Sequence, residues 1–410
     1  MKKKIGLLIL MLVLITGLFP TSPMAAESPF LALTLAPDTP PSRIVTVGDN
    51  GTEESATRIN LTAANETISI NSISVQRVDG KDADFAWIAL FDVSGNASQI
   101  GTNQVLVEGN TTIALPPEYT WLIQKNATKT LEIKVRFTGI QTESITGAIS
   151  GNAPKIGLTR IKGIGAASGQ IIDISTNVSG NPMVLRKSKP IIAAASLPNK
   201  ALSTGEKVLY RWTITADQKG DISWQDITFE VSGSIQVGGE KFFIGSKTEI
   251  PALTDAVYIQ SANDTLKKLI LAESFRIFDV GTGEQIPGIV QILNLPDKAL
   301  ISFNAVGLVT GIRGDVNGDG KVDALDITKL ERIIAGLDPL DPGNQAIPAG
   351  ATRTYEIRGN ILYSGQAGDV MMTRIPKGAD NSTFGWSDGA AEATDYLVPG
   401  LPTAHLSLTK

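Results

Sequence analysis

The sequence predicts a mainly β protein: two antiparallel β-sandwich domains, the second carrying one short loop-and-helix insertion. Three observations predict it. Hydrophobic and polar residues alternate over many short stretches. The two halves of the chain carry similar stretches in the same order. One segment, 314–337, fits neither pattern.

The chain begins with Lys2, Lys3 and Lys4, followed by an apolar run from Ile5 to Phe19 and the small residues Ala25 and Ala26. That order reads as a secretory signal peptide over 1–26, because the run is too short to span a bilayer comfortably. The expectation is a secreted, extracellular or cell-surface chain with no transmembrane segment after the signal peptide. Three of the 36 Lys and Arg and none of the 41 Asp and Glu lie in 1–26, leaving 33 against 41, a balance of −8. An acidic chain without a basic patch argues against nucleic acid as a partner. There is no cysteine, so stability rests on packed cores and any bound metal, not on disulfides.

The strands follow. In "LEIKVRF", Leu131, Ile133, Val135 and Phe137 face one way and Glu132, Lys134 and Arg136 the other. In "DFAWIALFDV", Phe85, Trp87, Ala89 and Phe91 alternate with Ala86, Ile88 and Leu90. In "LYRWTIT", Tyr210, Trp212 and Ile214 share a face. A period of two marks strands with one or both faces buried. Many short strands without helical crossovers favour Ig-like antiparallel sandwiches.

The halves match in order. Pro29 and Pro37 match Pro190 and Pro198. "RINLTAANETIS" (58–69) matches "RWTITADQKGDIS" (211–223), and "ISINSISVQ" (68–76) matches "ISWQDITFE" (222–230). "LFDVSG" (90–95) matches "IFDVGTG" (277–283), "ATKTLEIK" (127–134) matches "ATRTYEIR" (351–358), and "TRI" recurs at 159–161 and 373–375. Domain one is therefore expected over 29–189 and domain two over 190–410. From Phe91 to Ala127 is 36 residues and from Phe278 to Ala351 is 73, so the second copy holds 37 more. The segment 312–342 lies within that excess and is expected to interrupt domain two. Strand-end loops tolerate such insertions when the inserted unit's ends lie close together.

That segment contains "DVNGDGKVDALD". A hard cation such as Ca²⁺ needs six to eight oxygens on a tight arc, supplied in a twelve-residue loop from positions 1, 3, 5, 7, 9 and 12. Here those are Asp315, Asn317, Asp319, the carbonyl of Lys321, Asp323 and Asp326, with Gly320 at the sharp turn. Four carboxylates and an amide at this spacing point to Ca²⁺. After the loop, Ile327, Leu330, Ile334 and Leu337 make an apolar stripe at helical spacing, widened by Ile333.

Position 12 is Asp rather than the Glu of ordinary EF-hands, and "NAVGLVTGIRG" before the loop is not helical sequence. With "ALDITKLERIIAGL" after it, the segment resembles a dockerin type I repeat. The resemblance implies a calcium loop followed by a helix, and a cohesin-like partner met through loop positions 10 and 11, here Ala324 and Leu325, and the 326–337 helix. A dockerin pairs two such repeats. "GDVMMTRIPKGADN" is no second one, having Met371 at position 3 and Arg374 where Gly is needed. The stripe must then be covered by the host β-domain, a second molecule or a partner protein, of which the host is expected.

His405 is the only histidine. With no cysteine, that argues against Ser-His and Cys-His nucleophiles and His-ligated zinc, and no carboxylate pair stands in a recognisable glycosidase context. No enzyme is expected. Trp386, in turn-like "STFGWSDG", is the tryptophan expected to be most exposed. The repeated β-domains and the C-terminal stretch resemble those of prokaryotic S-layer-like and adhesin surface proteins. The function expected is a calcium-binding structural or adhesion protein of the cell surface. The alternatives are a dockerin-bearing component of a cohesin-based, polysaccharide-degrading complex, or a carbohydrate-binding module taking cell-wall glycan through Trp386.

Overall fold

The structure, a computed structural model, describes residues 28–115, 121–142, 146–247, 253–305, 345–380 and 382–410. The chain is mainly β. Among the described residues helix is confined to the single 3₁₀ turns Asp82–Asp84 and Ala272–Ser274 and to Gln345, which is also 3₁₀. The 1–26 segment lies outside the described residues, and no helix among those described is long and apolar enough to cross a membrane.

Residues 30–179 form two antiparallel sheets. One runs in the order Phe30–Leu35, Thr52–Ala64, Thr128–Phe137, Phe85–Asp92, Ser98–Gln104; the other in the order Ile171–Ser179, Lys155–Gly165, Ile68–Asp79, Asn110–Ala114, with Trp121–Ile123 also on Ile68–Asp79. Their inner faces, including Ile59, Leu131, Ile133 and Val135 from one and Ile70, Ile73, Val75 and Ile156 from the other, share one core. Two sheets closed over alternating apolar side chains make a sandwich.

Residues 190–409 form a larger sheet system. Pro190–Ala194, Gly205–Ala216, Thr352–Ile361, Arg276–Asp279 and Gln285–Ile286 pair in that order. The long strand Ile222–Val237 takes Lys298–Ala305 on one edge, with Val370–Arg374 and Phe384–Ser387 on the other. Its core is aromatic: Trp212 meets Phe229 with ring centroids 5.1 Å apart, and Trp224 meets Tyr355 edge-on at 5.4 Å. Such pairs add about 0.5–1.5 kcal/mol beyond the area they bury.

Register ties the halves together. Arg58 lies opposite Glu132 and Ile59 opposite Leu131; Arg211 lies opposite Glu356 and Trp212 opposite Tyr355. Both glutamates are buried, and each takes its arginine in an ion pair, at 2.9 Å for Arg58 and 2.5 Å for Arg211. Phe91 and Phe278 flank these glutamates on the next strand in each half. The proline matches point slightly elsewhere. Ala36 N–H donates to the Arg58 carbonyl as Ala195 N–H does to that of Arg211, which sets Pro37 against Ser196 rather than Pro198.

The alternation expected for 85–91 is broken. A bulge lies between Phe85 and Trp87, so Ile88, Ala89 and Leu90 are buried while Trp87 and Phe91 are half-buried. One extra residue in a strand flips the face of those beyond it.

Arg43–Thr46 and Met183–Arg186 pair in parallel and carry the first half against the second, where Ile44 and Val184 join the aromatic core. The Arg186 guanidinium lies 5.4 Å from the Trp386 ring centroid and donates to the carbonyls of Ala391 and Glu392. Burial pushes Arg186 below its ordinary pKa, against the pull of Asp388. Asp388 in turn accepts from the Ser150 hydroxyl at 2.6 Å and the Lys187 N–H at 2.8 Å.

Candidate metal site and its attachment

The expected ligands Asp315, Asn317, Asp319, Lys321, Asp323 and Asp326, with Ala324, Leu325 and the 326–337 helix, lie outside the described residues. Their donor set, four carboxylates, one amide and one backbone carbonyl, suits a hard divalent cation and no soft one. Both ends of the segment are described, and they define its attachment.

The strand Lys298–Ala305 runs antiparallel along Ile222–Val237, ending with Asn304 opposite Asp226. The chain resumes at Ala346–Ile347, opposite Ser223 and Ile222. Ser223 and Asp226 also bear Ser387 and Gly385 on the opposite edge, so 304 and 346 lie along one edge, in one direction. Three positions on a strand span about 10 Å. Residues 306–345 thus interrupt a single line of pairing.

The first half shows that line with a short connection. Along Ile68–Asp79, Ser72 lies opposite Ala114, and Ile70, Ser69 and Ile68 lie opposite Trp121, Leu122 and Ile123. Residues 115–120 connect the two stretches there. Both halves then take the same step into the next strand, from Ile123 to Thr128 and from Ile347 to Thr352.

The return point is held firmly. Ile347 is fully buried in the second core. Ala349 N–H donates to the Asp221 carboxylate at 2.8 Å and Gly350 N–H to the Asp217 carbonyl at 3.2 Å. The Asp217–Gly220 turn also reaches the first half: the Thr46 hydroxyl donates to Asp217, and Lys219 Nζ donates to the Thr46 carbonyl at 2.6 Å. One turn therefore touches both the end of the interrupting segment and the junction of the halves.

Asp226, beside the departure point, belongs to the sheet. Its carboxylate accepts from the Gly385 amide, and a Cβ at 385 would fall 2.1 Å from Asp226 Oδ2, which explains the glycine. Burial pushes Asp226 above the ordinary carboxylate range, with Asp395 and Glu392 adding to it.

The segment "GDVMMTRIPKGADN" contains the strand Val370–Arg374, paired to Ile222–Val237 and Leu406–Thr409. Asp369 is buried and accepts the amides of Gln366 and Gln236. Trp386 corrects the sequence expectation: it is 1% exposed, and its indole N–H donates to the Thr394 carbonyl. The turn-like sequence around it concealed Arg186, two hundred residues earlier, which stacks on the ring. Among the other tryptophans, Trp121, Trp212 and Trp224 are buried and Trp87 is half-buried.

Residues 313–351 match the Dockerin type I domain. The match extends to Ala346–Ile347, the strand that pairs with Ile222–Val237. No curated protein matches the chain. Among solved structures, the C-terminal domain of the Streptococcus agalactiae AgI/II polypeptide BspA is similar at 9% identity, covering 93% of this chain and 100% of that one, with a TM-score of 0.20. The collagen adhesin CNA from S. aureus is similar at 11% identity, covering 92% and 93%, with a TM-score of 0.18. The C-terminal domain of the Streptococcus pyogenes antigen I/II-family protein AspA is similar at 8% identity, covering 94% and 100%, with a TM-score of 0.21.

Proposed function

We propose that this is a secreted or cell-surface, non-catalytic β-sandwich protein, built from a duplicated unit over 29–189 and 190–410, that binds Ca²⁺ and serves assembly or adhesion at the cell surface. The observation that carries the reading is the dockerin match set into one interrupted line of sheet pairing, with the other half crossing the same break by residues 115–120 alone. Asp315, Asn317, Asp319, the Lys321 carbonyl, Asp323 and Asp326 hold the ion. Calcium then orders the helix that follows, and its Ile327, Leu330, Ile334 and Leu337 stripe rests on the host β-domain. The return point shares the Asp217–Gly220 turn with the junction of the halves, so an ordered segment stiffens that junction.

The non-catalytic reading rests on the residue inventory: His405 is exposed, and there is no cysteine. Hydrolysis of any glycan by the pure protein would overturn it.

The dockerin match favours one rival, a component of a cohesin-based, polysaccharide-degrading complex that meets its partner through Ala324, Leu325 and the 326–337 helix. Pull-down of the full chain on immobilised cohesin domains separates the two. Capture that needs Ca²⁺ and is lost in Asp315→Ala supports the rival; Ca²⁺ binding without capture supports the host-bound reading. The glycan-module alternative loses its anchor with Trp386 buried.

A further inference from the structure

The strand Asn110–Ala114 ends its sheet. Leu115 N–H donates to the Asn71 carbonyl and Arg77 N–H to that of Gly109, so by alternation residues 111 and 113 between them face Ile68–Asp79 with their backbone groups. In an antiparallel pair the alternate residues face the other way. Thr112 and Ala114 thus present N–H and C=O outward. Among the described residues the only pairing on that outer edge is the turn bridge between Val107 and Asn110.

A groove of about 780 Å³ runs along this edge, lined by Gln99, Gly101, Thr102, Asn103 and Gln104 of the facing sheet with Thr112 and Ala114. None of these residues is charged. The amides are bonded among themselves, Gln99 to Asn103 and Gln104 to the Thr102 hydroxyl. Val105 and Val107, 60% and 67% exposed, stand at the turn beside it.

The second half shows what this position accepts. Lys298–Ala305 stands on Ile222–Val237 as Asn110–Ala114 stands on Ile68–Asp79, with buried Phe303 in the place of Ile113 and Asn304 in that of Ala114. Its outer edge carries an antiparallel strand, Gly288–Leu295, that sets Gln291 opposite Ser302 and Ile289 opposite Asn304. That strand, "GIVQILNL", has no charge either. In the first half the chain stays with its own sheet through Gln104 instead, and among the described residues no strand pairs at this place, where Gly101, lacking a side chain, comes near the Ala114 carbonyl.

We propose that the groove between Ser98–Gln104 and Asn110–Ala114 binds an extended, uncharged peptide segment of a partner protein, rich in β-branched and amide residues, which adds antiparallel to Asn110–Ala114. Backbone hydrogen bonds to Thr112 and Ala114 supply the affinity, and the uncharged lining supplies the selectivity. A charged side chain facing this lining loses water and gains no partner.

The test uses the full chain and a synthetic peptide of sequence GIVQILNL with a terminal lysine pair for solubility. In the folded protein that stretch is committed to Lys298–Ala305, so the free peptide is a fair probe of the vacant counterpart. Hydrogen exchange should show protection of the Thr112 and Ala114 amides on adding the peptide. Thr112→Pro, which removes one of those donors, should abolish it. Ala114→Glu, on an exposed side chain that leaves the fold intact, should weaken binding about tenfold or more. A scrambled peptide with Asp at alternate positions should not bind. No protection at Thr112 and Ala114, or protection unchanged in Ala114→Glu, overturns the proposal. Self-association of the full chain that Ala114→Glu abolishes would place a second copy in the groove and overturn the choice of a separate partner.

Discussion

In the first half Ile70 faces Trp121 and Ser72 faces Ala114, with residues 115–120 between the partners; in the second, Ser223 faces Ala346 and Asp226 faces Asn304, with residues 305–345 between them. The strands on either side keep register through this change. A sandwich can take in a foreign segment wherever pairing along one strand can stop and resume, because the segment's ends are then fixed by hydrogen bonds already present. The outer edges differ in a second way. The strand at the Asn110–Ala114 position gains a neighbour in the second half and, among the described residues, has none on that edge in the first. What the halves share is central: a buried glutamate, its arginine across the ladder, and an aromatic ring on the next strand.

The core fill sets the largest expected effect. Trp212 faces Tyr355 where Ile59 faces Leu131. Trp212→Ala should cost about 4 kcal/mol in urea unfolding, and Ile59→Ala about 3 kcal/mol. Loss confined to one of two unfolding transitions would show that the halves unfold separately; equal loss in a single transition would show that the Arg186 junction couples them.

Next come the twin ion pairs. Glu132→Gln leaves Arg58 with Asp38 as its remaining carboxylate, and Glu356→Gln takes from Arg211 and Arg358 the carboxylate they share; these arginines are roughly a quarter to a third exposed. Each should cost about 2 kcal/mol, less than a fully buried pair because water reaches the guanidinium. Unequal losses would break the equivalence of the two sites.

A smaller effect distinguishes the halves by pH. Burial alone would raise Asp92, but Lys129, the Trp121 indole and Ser94 outweigh it and hold the carboxyl at about 2. Its folded value lies below the unfolded one, so this stabilisation is complete above about pH 4 and is lost as pH falls toward 2. Asp92→Asn should flatten the acid limb of first-half stability between those values, read by tryptophan fluorescence of unfolding at several pH values. An unchanged limb would remove Asp92 from the account.

Much of this was legible in the sequence. The alternation of Leu131, Ile133, Val135 and Phe137 is local, and all four are buried. The twelve-residue spacing that suggests calcium is local too, on residues outside those described, and the order of the repeated blocks points to where the second half holds more residues. The rest depends on contacts distant in sequence. The bulge at Phe85 is set by pairing with 136–137, and no residue near Trp386 announces the Arg186 that covers it. The two prolines of each half share a spacing but not a register, because the ladder is fixed by Ala36 and Ala195 instead. The open edge at Thr112 and Ala114 is visible only once the second half shows a strand in the corresponding place.

The proposed calcium-binding segment would sit as a guest in the second half. Replacing residues 306–345 by a second stretch of residues 115–120 tests it most directly, with Ca²⁺ calorimetry and thermal unfolding measured on the full and shortened chains. The full chain should bind Ca²⁺, the shortened chain should bind none, and its second half should unfold within a few degrees of the full chain in EDTA, since shortening such a loop changes closure entropy by about 1–2 kcal/mol. Calcium binding unchanged in the shortened chain, or collapse of its second half, would contradict the proposal.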